Sequence, residues 1–147
     1  MSVPVSVILD RKGHDVATVS SVQPLAEAVG MLAERGLGAL VVVDDAGGLE
    51  GIVSERDVVR QIAQDGAEAL GRPVADVMTT PVTTCTPSTG ATELASTMTE
   101  GRIRHLPVVD EGRLVGIVSI GDVVKSRIDD LATQAESLER YVTGTAY

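Results

Sequence analysis

Two stretches of this 147-residue chain carry the same chemical pattern. Gly51–Arg60 reads GIVSERDVVR and Gly116–Lys125 reads GIVSIGDVVK, identical at seven of ten positions. Each sets a Ser and an Asp three residues apart: Ser54 with Asp57, and Ser119 with Asp122. At a helix start such a pair can form a capping box, in which the hydroxyl and the carboxylate satisfy amides left without intrahelical partners. The same geometry suits a ligand. A carboxylate can accept two hydrogen bonds from a ribose diol, and a hydroxyl beside free helix amides can hold a phosphate. One copy alone favours the capping role.

A second group is basic. Arg102, Arg104 and His105 cluster in a chain whose net charge is −9. The planar guanidinium fork fits phosphate oxygens. Neighbouring residues on a strand face opposite sides, so Arg104 and His105 need not enter the same cleft, and a solvated strand edge is the plain alternative. The matching residues of the first copy are the small Gly38 and Ala39, while Arg56 is matched by Gly121. The fixed letters therefore build one cleft twice and the varied letters make the two clefts unequal. Cys85 has no accompanying Cys–His pattern and reads as a small core residue. His14 reads as a loop residue. DDAGG has too few carboxylates for a calcium loop, and no P-loop, GxGxxG or zinc pattern is present.

The elements that must position these groups also occur twice. VATVSS (16–21) matches VTTCTP (82–87), and LGALVVVD (37–44) matches IRHLPVVD (103–110), both at an offset of 66. The offset falls to 65 at the Ser-x-x-Asp motifs because one turn is a residue shorter, and turns are where length changes belong. Val16 to Val19 predicts a strand. PLAEAVGMLAERG has apolar residues at helical spacing with Pro24 near its start and Gly36 as its stop. TGATELASTMTEG repeats this with Gly101 as the stop. Apolar runs around Asp/Gly turns predict two hairpins, and Ser54 and Ser119 each start a helix. GRPVADVMTTP bridges the halves. The predicted fold is α+β: tandem pseudo-symmetric β-α-β-β-α repeats sharing one core, since either half alone has little to bury. The expected divisions are repeat one at 3–65, a linker at 66–73, repeat two at 74–128, and an amphipathic helix and tail at 129–147.

Composition narrows the function classes. Apolar content of 44% supports a core, built from aliphatic residues because the chain has no Phe, no Trp and two Tyr. The negative charge argues against nucleic-acid partners and anionic membranes. No apolar run approaches the roughly 18 residues a membrane helix needs. The single Cys excludes an internal disulfide. MSVPVSVILD lacks the basic region and long apolar run of a signal peptide, so a cytoplasmic protein is expected.

The order strand, helix, LVVVD, GIVSxxDVV, written twice, resembles the paired CBS domain, or Bateman module, as in a stand-alone CBS-domain protein. MTTPVTT and RIRHLPVVDEGRLVGIVSIGDVV lie close to the family pattern; LDRKGHDVATV, at the first copy, departs from it. The resemblance implies a non-catalytic regulatory module that binds an adenosine ligand (AMP, ADP, ATP, NAD or S-adenosylmethionine) in clefts between the repeats. It implies one cleft with Asp57, with Gly13, Ala17, Leu37 and Ala39 around the base and Arg104, His105 and Ser119 toward phosphate. It implies another with Asp122, with Thr79, Thr83, Ile103 and His105 around the base and Ser54 and Arg56 toward phosphate. Taken together with the duplication of Ser-x-x-Asp, the resemblance favours contact of at least one Asp with a ligand. It also implies a homodimer, with output through a protein partner. The rival class is a structural dimerisation protein whose clefts have lost their ligand; an enzyme lacks a base–nucleophile constellation here.

Past Asp122 the helical pattern continues. Val124, Ile128, Leu131, Ala135, Leu138 and Val142 are spaced 4, 3, 4, 3, 4, a heptad seam. It would pack either on its own domain or on a second chain, and its length past the repeat favours the second chain.

Overall fold

The computed structural model describes residues 2–144. Its elements run α1 (Val5–Lys12), β1 (Thr18–Ser20), α2 (Leu25–Arg35), β2 (Ala39–Val43), β3 (Leu49–Ser54), α3 (Glu55–Asp65), two 3₁₀ turns (Gly66–Gly71 and Val74–Asp76), α4 (Ala91–Gly101), β4 (His105–Asp110), β5 (Arg113–Ser119) and α5 (Ile120–Thr143). The fold is α+β with two similar halves, as the repeat predicts.

The first half holds a three-stranded sheet ordered β1-β2-β3, with β1 parallel to β2 and β2 antiparallel to β3. The second half holds the antiparallel pair β4-β5. Its expected first strand shrinks to one bridge from Cys85 to Val108. Proline explains the loss. In the first half the Val41 amide donates to the Ala17 carbonyl at 3.1 Å; the residue 66 places on from Val41 is Pro107, which has no N–H to give.

In place of the one shared core that the sequence predicts, each half has its own apolar core, and the cores exchange segments. Val19, Leu25, Ala28, Leu32, Leu40, Val42, Val53 and Val58 are joined by Ala69, Val74 and Val77 from the segment leading to the second repeat. Cys85, Leu94, Met98, Leu106, Val108, Val118 and Val123 are joined by Val5, Ile8 and Leu9 of α1. Helix α1 begins the chain yet belongs to the second core. Backbone bonds fix the exchange: Ala91 N donates to Val3 O at 2.7 Å, and Leu25 N donates to Arg72 O at 2.8 Å, the same bond in each half. Gly116 permits it, because a Cβ there would lie 2.7 Å from Leu9 Cδ2.

Helix α2 ends as expected, with Gly36 in the left-handed conformation (φ 62°, ψ 39°). Helix α4 differs. Gly101 is its last residue, and Arg102 takes the left-handed position (φ 53°, ψ 41°). Gly101 is needed for another reason, since a Cβ there would meet Ile103 Cδ1 at 2.9 Å. The left-handed conformation costs an L-residue roughly 1–2 kcal/mol. The seam on α5 does not fold back on its own domain: Val124, Ile128, Leu131, Leu138 and Val142 are all exposed. No helix among the described residues is long and apolar enough to cross a membrane.

Candidate functional site

Ser54 and Ser119 are the last residues of β3 and β5 and cap the helices that follow. Both capping boxes are complete. Asp57 N donates to Ser54 Oγ at 3.3 Å and Ser54 N donates to Asp57 Oδ2 at 2.9 Å. Asp122 N donates to Ser119 Oγ at 3.2 Å and Ser119 N donates to Asp122 Oδ2 at 2.8 Å. Each carboxylate is thereby fixed at the mouth of a helix with lone pairs to spare, because an ionised carboxylate has about four acceptor sites.

What surrounds the two carboxylates corrects the sequence-based grouping. Thr79 was expected with Asp122, but its hydroxyl donates to Asp57 Oδ1 at 3.1 Å. Gly13 was expected with Asp57, but it closes α1, whose preceding residue Lys12 reaches Asp122 Oδ2 at 2.7 Å and Ile117 O at 2.8 Å. His14 Nδ1 lies 3.1 Å from Val115 O. The reason is the exchange of segments. The chain leaving α1 runs along β5 of the second half. The chain entering the second repeat runs along β3 of the first, with Thr79 N donating to Ile52 O at 2.8 Å.

Burial alone would raise the Asp122 pKa, but the hydrogen bonds from Lys12 and from the Ser119 backbone outweigh it, and the carboxyl titrates below its ordinary 3.8. His105 opens β4 and pairs with Ser119 across the hairpin. A Cβ on Gly38 would lie 2.9 Å from His105 Cε1, so the imidazole packs on the backbone of the other half. Burial and the Lys12 charge pull the His105 pKa below 6.5, against the opposing pull of Asp122 and Glu55. Lys12, Asp122 and His105 thus share one side of the interface between halves.

Arg56 and Arg104 were assigned to different clefts. They instead line one depression of about 440 Å³, with Met98, Thr99, Arg102, Ile103 and Ile120. The N-terminus of α3 meets the α4–β4 junction there, so a side chain of the first half faces the basic cluster of the second. Of the remaining candidates, Leu37 and Ala17 pack against the first core and Ala39 is buried opposite Ser54 in the β2–β3 ladder. Thr83 is exposed on the segment before Cys85. Cys85 is buried, and burial pushes its thiol up to about 11, so it is not a ready nucleophile. No group of three or more His, Cys, Asp or Glu among the described residues is placed to hold a metal.

Sequence reasoning missed Lys12 as a partner of Asp122. At the offset of 66, Lys12 matches Met78 and Gly13 matches Thr79, so the repeat marks the two segments as equivalent without giving their partners. Nothing in the sequence alone shows that these segments change halves.

Comparison with known proteins agrees with this architecture. The CBS domain family model matches residues 6–64 and again 74–129. A CBS domain-containing protein of Bacillus subtilis, YhcV, is 32% identical over 125 residues, which are 85% of this chain and 88% of that protein. The mitochondrial CBS domain-containing protein CBSX3 of Arabidopsis thaliana is 36% identical over 122 residues, but these span only 59% of its length. Among solved structures, a CBS-domain-containing protein of Agrobacterium tumefaciens superposes with a TM-score of 0.84 at 46% identity, covering 86% of this chain and 95% of that one. The CBS domain pair of protein MJ0100, solved in complex with 5-methylthioadenosine and S-adenosyl-L-methionine, gives 0.75 at 28% identity, covering 85% and 95%. With two matched repeats and relatives aligned across most of both chains, this protein belongs to the CBS domain family.

Proposed function

We propose that this chain is a regulatory, non-catalytic adenine-nucleotide sensor. Its ligand is AMP or a related adenosine compound such as ADP, ATP, NAD or S-adenosylmethionine, held between the two repeats, and it acts as a homodimer on a protein partner. The observation that carries the reading is the pair of carboxylates, Asp57 and Asp122, each fixed by a complete capping box with acceptor capacity left over. A helix cap needs neither the ordered donors beside it, Thr79 and Lys12, nor an arginine-lined depression between the halves. The adenosine compounds in the MJ0100 complex support the ligand class. The outward seam of α5 supports the homodimer, since a self-complementary heptad face is buried best against its own copy.

Calorimetric titration of adenosine and AMP tests the reading in the wild type, Asp57→Asn, Asp122→Asn and the double variant. Asn keeps the shape of the cap and loses the charge. Each single change should cost roughly 1.5–3 kcal/mol at its own site, the worth of a charge-assisted hydrogen bond. A double variant that binds as the wild type does would remove the ribose role. A wild type that binds no adenosine compound would favour the scaffold class.

A further inference from the structure

We infer that the cleft between α1 and α5, lined by Arg11, Lys125, Ser126 and Asp129, is a binding site for inorganic phosphate. The site lies outside the arginine-lined depression between the halves and stands whether or not the adenosine reading holds.

Three donors without acceptors border it. Helix α1 packs on α5, and the cleft between them measures about 140 Å³, with Ile8 as its apolar part. Ser126 is 4% exposed, and its Oγ has no hydrogen-bond partner among the described residues. A buried hydroxyl without a partner is uncommon and calls for an explanation. Arg11 stands in the last turn of α1, and its Nη1 lies 3.8 Å from Asp129 Oδ2, too far for a hydrogen bond. Lys125 has no ion pair or side-chain hydrogen bond among the described residues. Lys12 and Asp122 also border the cleft, but they bond each other at 2.7 Å. What remains is two cations and a hydroxyl beside one carboxylate, an arrangement that takes an anion.

The fold does not demand this arrangement. At the offset of 66, Ile8, Arg11 and Lys12 match Val74, Val77 and Met78. Those three belong to the first core or pack against it, so the corresponding place in the first half is apolar. At the offset of 65, Ser126 matches Gln61, whose amide donates to Asp65 Oδ2. The first repeat thus has apolar and internally bonded side chains where the second sets donors around a cleft.

Size and charge select the anion. Pockets for drug-sized ligands run to roughly 300–1,000 Å³, so this cleft suits a small ion and is too small for a whole nucleotide. The Arg11 fork can bind two oxygens, and the Lys125 ammonium and the Ser126 hydroxyl can each donate to another. These bonds match a tetrahedral oxyanion better than a planar carboxylate with its two oxygens. Asp129 then decides between tetrahedral anions, because an ionised carboxylate can only accept. Phosphate at neutral pH keeps an O–H that can donate to Asp129. Sulfate has none, and its oxygens would meet the carboxylate as unrelieved like charge. Opening the Arg11–Asp129 pair costs little, since its side chains are 52% and 47% exposed.

The test is calorimetric titration of the full chain at neutral pH with potassium phosphate, sulfate and acetate. Chloride holds the ionic strength constant, so that general screening cancels. Wild type should bind phosphate at least roughly tenfold more tightly than either other anion. Arg11→Gln and Ser126→Ala should each weaken phosphate by roughly tenfold, the loss of a hydrogen bond to a charged partner. Asp129→Asn should narrow the preference for phosphate over sulfate by at least roughly tenfold. Without phosphate, the unfolding midpoint of Ser126→Ala should equal or exceed that of wild type, because the change removes a buried hydroxyl that has no partner. Saturation with adenosine or AMP should leave the phosphate affinity unchanged. No phosphate binding, phosphate no tighter than sulfate or acetate, an affinity unchanged in Arg11→Gln or Ser126→Ala, a selectivity unchanged in Asp129→Asn, or a lowered phosphate-free midpoint in Ser126→Ala would each overturn the inference. Displacement of phosphate by adenosine or AMP would overturn it too, by placing the anion in the nucleotide cleft. Phosphate binding with these dependences in a protein that binds no adenosine compound would remove the adenosine reading and uphold this site.

Discussion

The Lys12 ammonium is 2.7 Å from Asp122 Oδ2, and among the described residues Asp57 of the first repeat has no such pair. At the matching position stands Met78, packed against the first core and crowding Gly51, while Asp57 receives the neutral Thr79 hydroxyl. The two capping boxes are nearly superimposable in their bonds, yet one carboxylate is neutralised by a cation of its own chain and the other is not. Helix α1 is what delivers the cation, because Val5, Ile8 and Leu9 anchor it in the second core.

Replacing Lys12 by Met, the residue of the first repeat, should raise the Asp122 pKa toward its ordinary value. The folded pKa is lowered, so its contribution to stability is complete above 3.8 and is lost as pH falls through the folded value. The pair is partly exposed, its side chains being 31% and 21% accessible, so its worth at neutral pH is discounted to about 0.5–1 kcal/mol. Chemical denaturation of Lys12→Met should show that loss at pH 7, and the loss should shrink as pH falls below 3.8 and through the lowered folded value. A loss of the same size across the whole range would mean that Lys12 acts through its aliphatic stem.

His105 should make stability fall in mild acid. Its pKa is lowered by burial and by Lys12, so the folded protein resists protonation that the unfolded chain accepts at about its usual 6.5. The stabilisation is complete above 6.5 and drains as pH falls below it. His105→Gln keeps a polar side chain against Gly38 without titrating. Denaturation curves at pH 7.5, 6.5 and 5.5 should show wild type losing more than the variant over this interval. Parallel losses would place the pH dependence in other groups.

Much of the fold is legible in the repeat. The internal offset of 66 marks matching strands and helices, and both Ser-x-x-Asp motifs stand at helix starts as their capping chemistry requires. Two features are not legible, and both arise from tertiary placement. The exchange of α1 and of the 69–78 segment between cores depends on which surface Leu9 and Met78 find, and either half offers a similar one. Hence Thr79 and Gly13 change partners. The left-handed Arg102 is hidden because Gly101 looks like the helix stop; that glycine is retained for the close approach of Ile103. The basic cluster at 102–105 is visible in the sequence, but its convergence with Arg56 appears only when the halves meet.

The seam of α5 should hold two copies together. Leu131 and Leu138 lie one heptad apart, are 49% and 64% exposed, and touch no core residue cluster of their own chain. With Val124, Ile128 and Val142 they form an apolar stripe that a solvated helix has no use for, and Val59 and Ile62 of α3 add further exposed apolar surface. Burying a leucine side chain fully is worth about 1.5–3 kcal/mol, so a Glu at both seam positions of both copies removes several kcal/mol from an interface and adds like-charge repulsion. Dimer dissociation should therefore be at least roughly a hundredfold easier for Leu131→Glu/Leu138→Glu. Both sites are exposed in the single chain, so the change should leave the circular dichroism of the folded protomer intact. Sedimentation velocity across a concentration series checks the outcome. A variant that sediments as wild type at every concentration would show that the seam takes no part in self-association, and one that loses its fold as a monomer would show that the helix packs on its own chain.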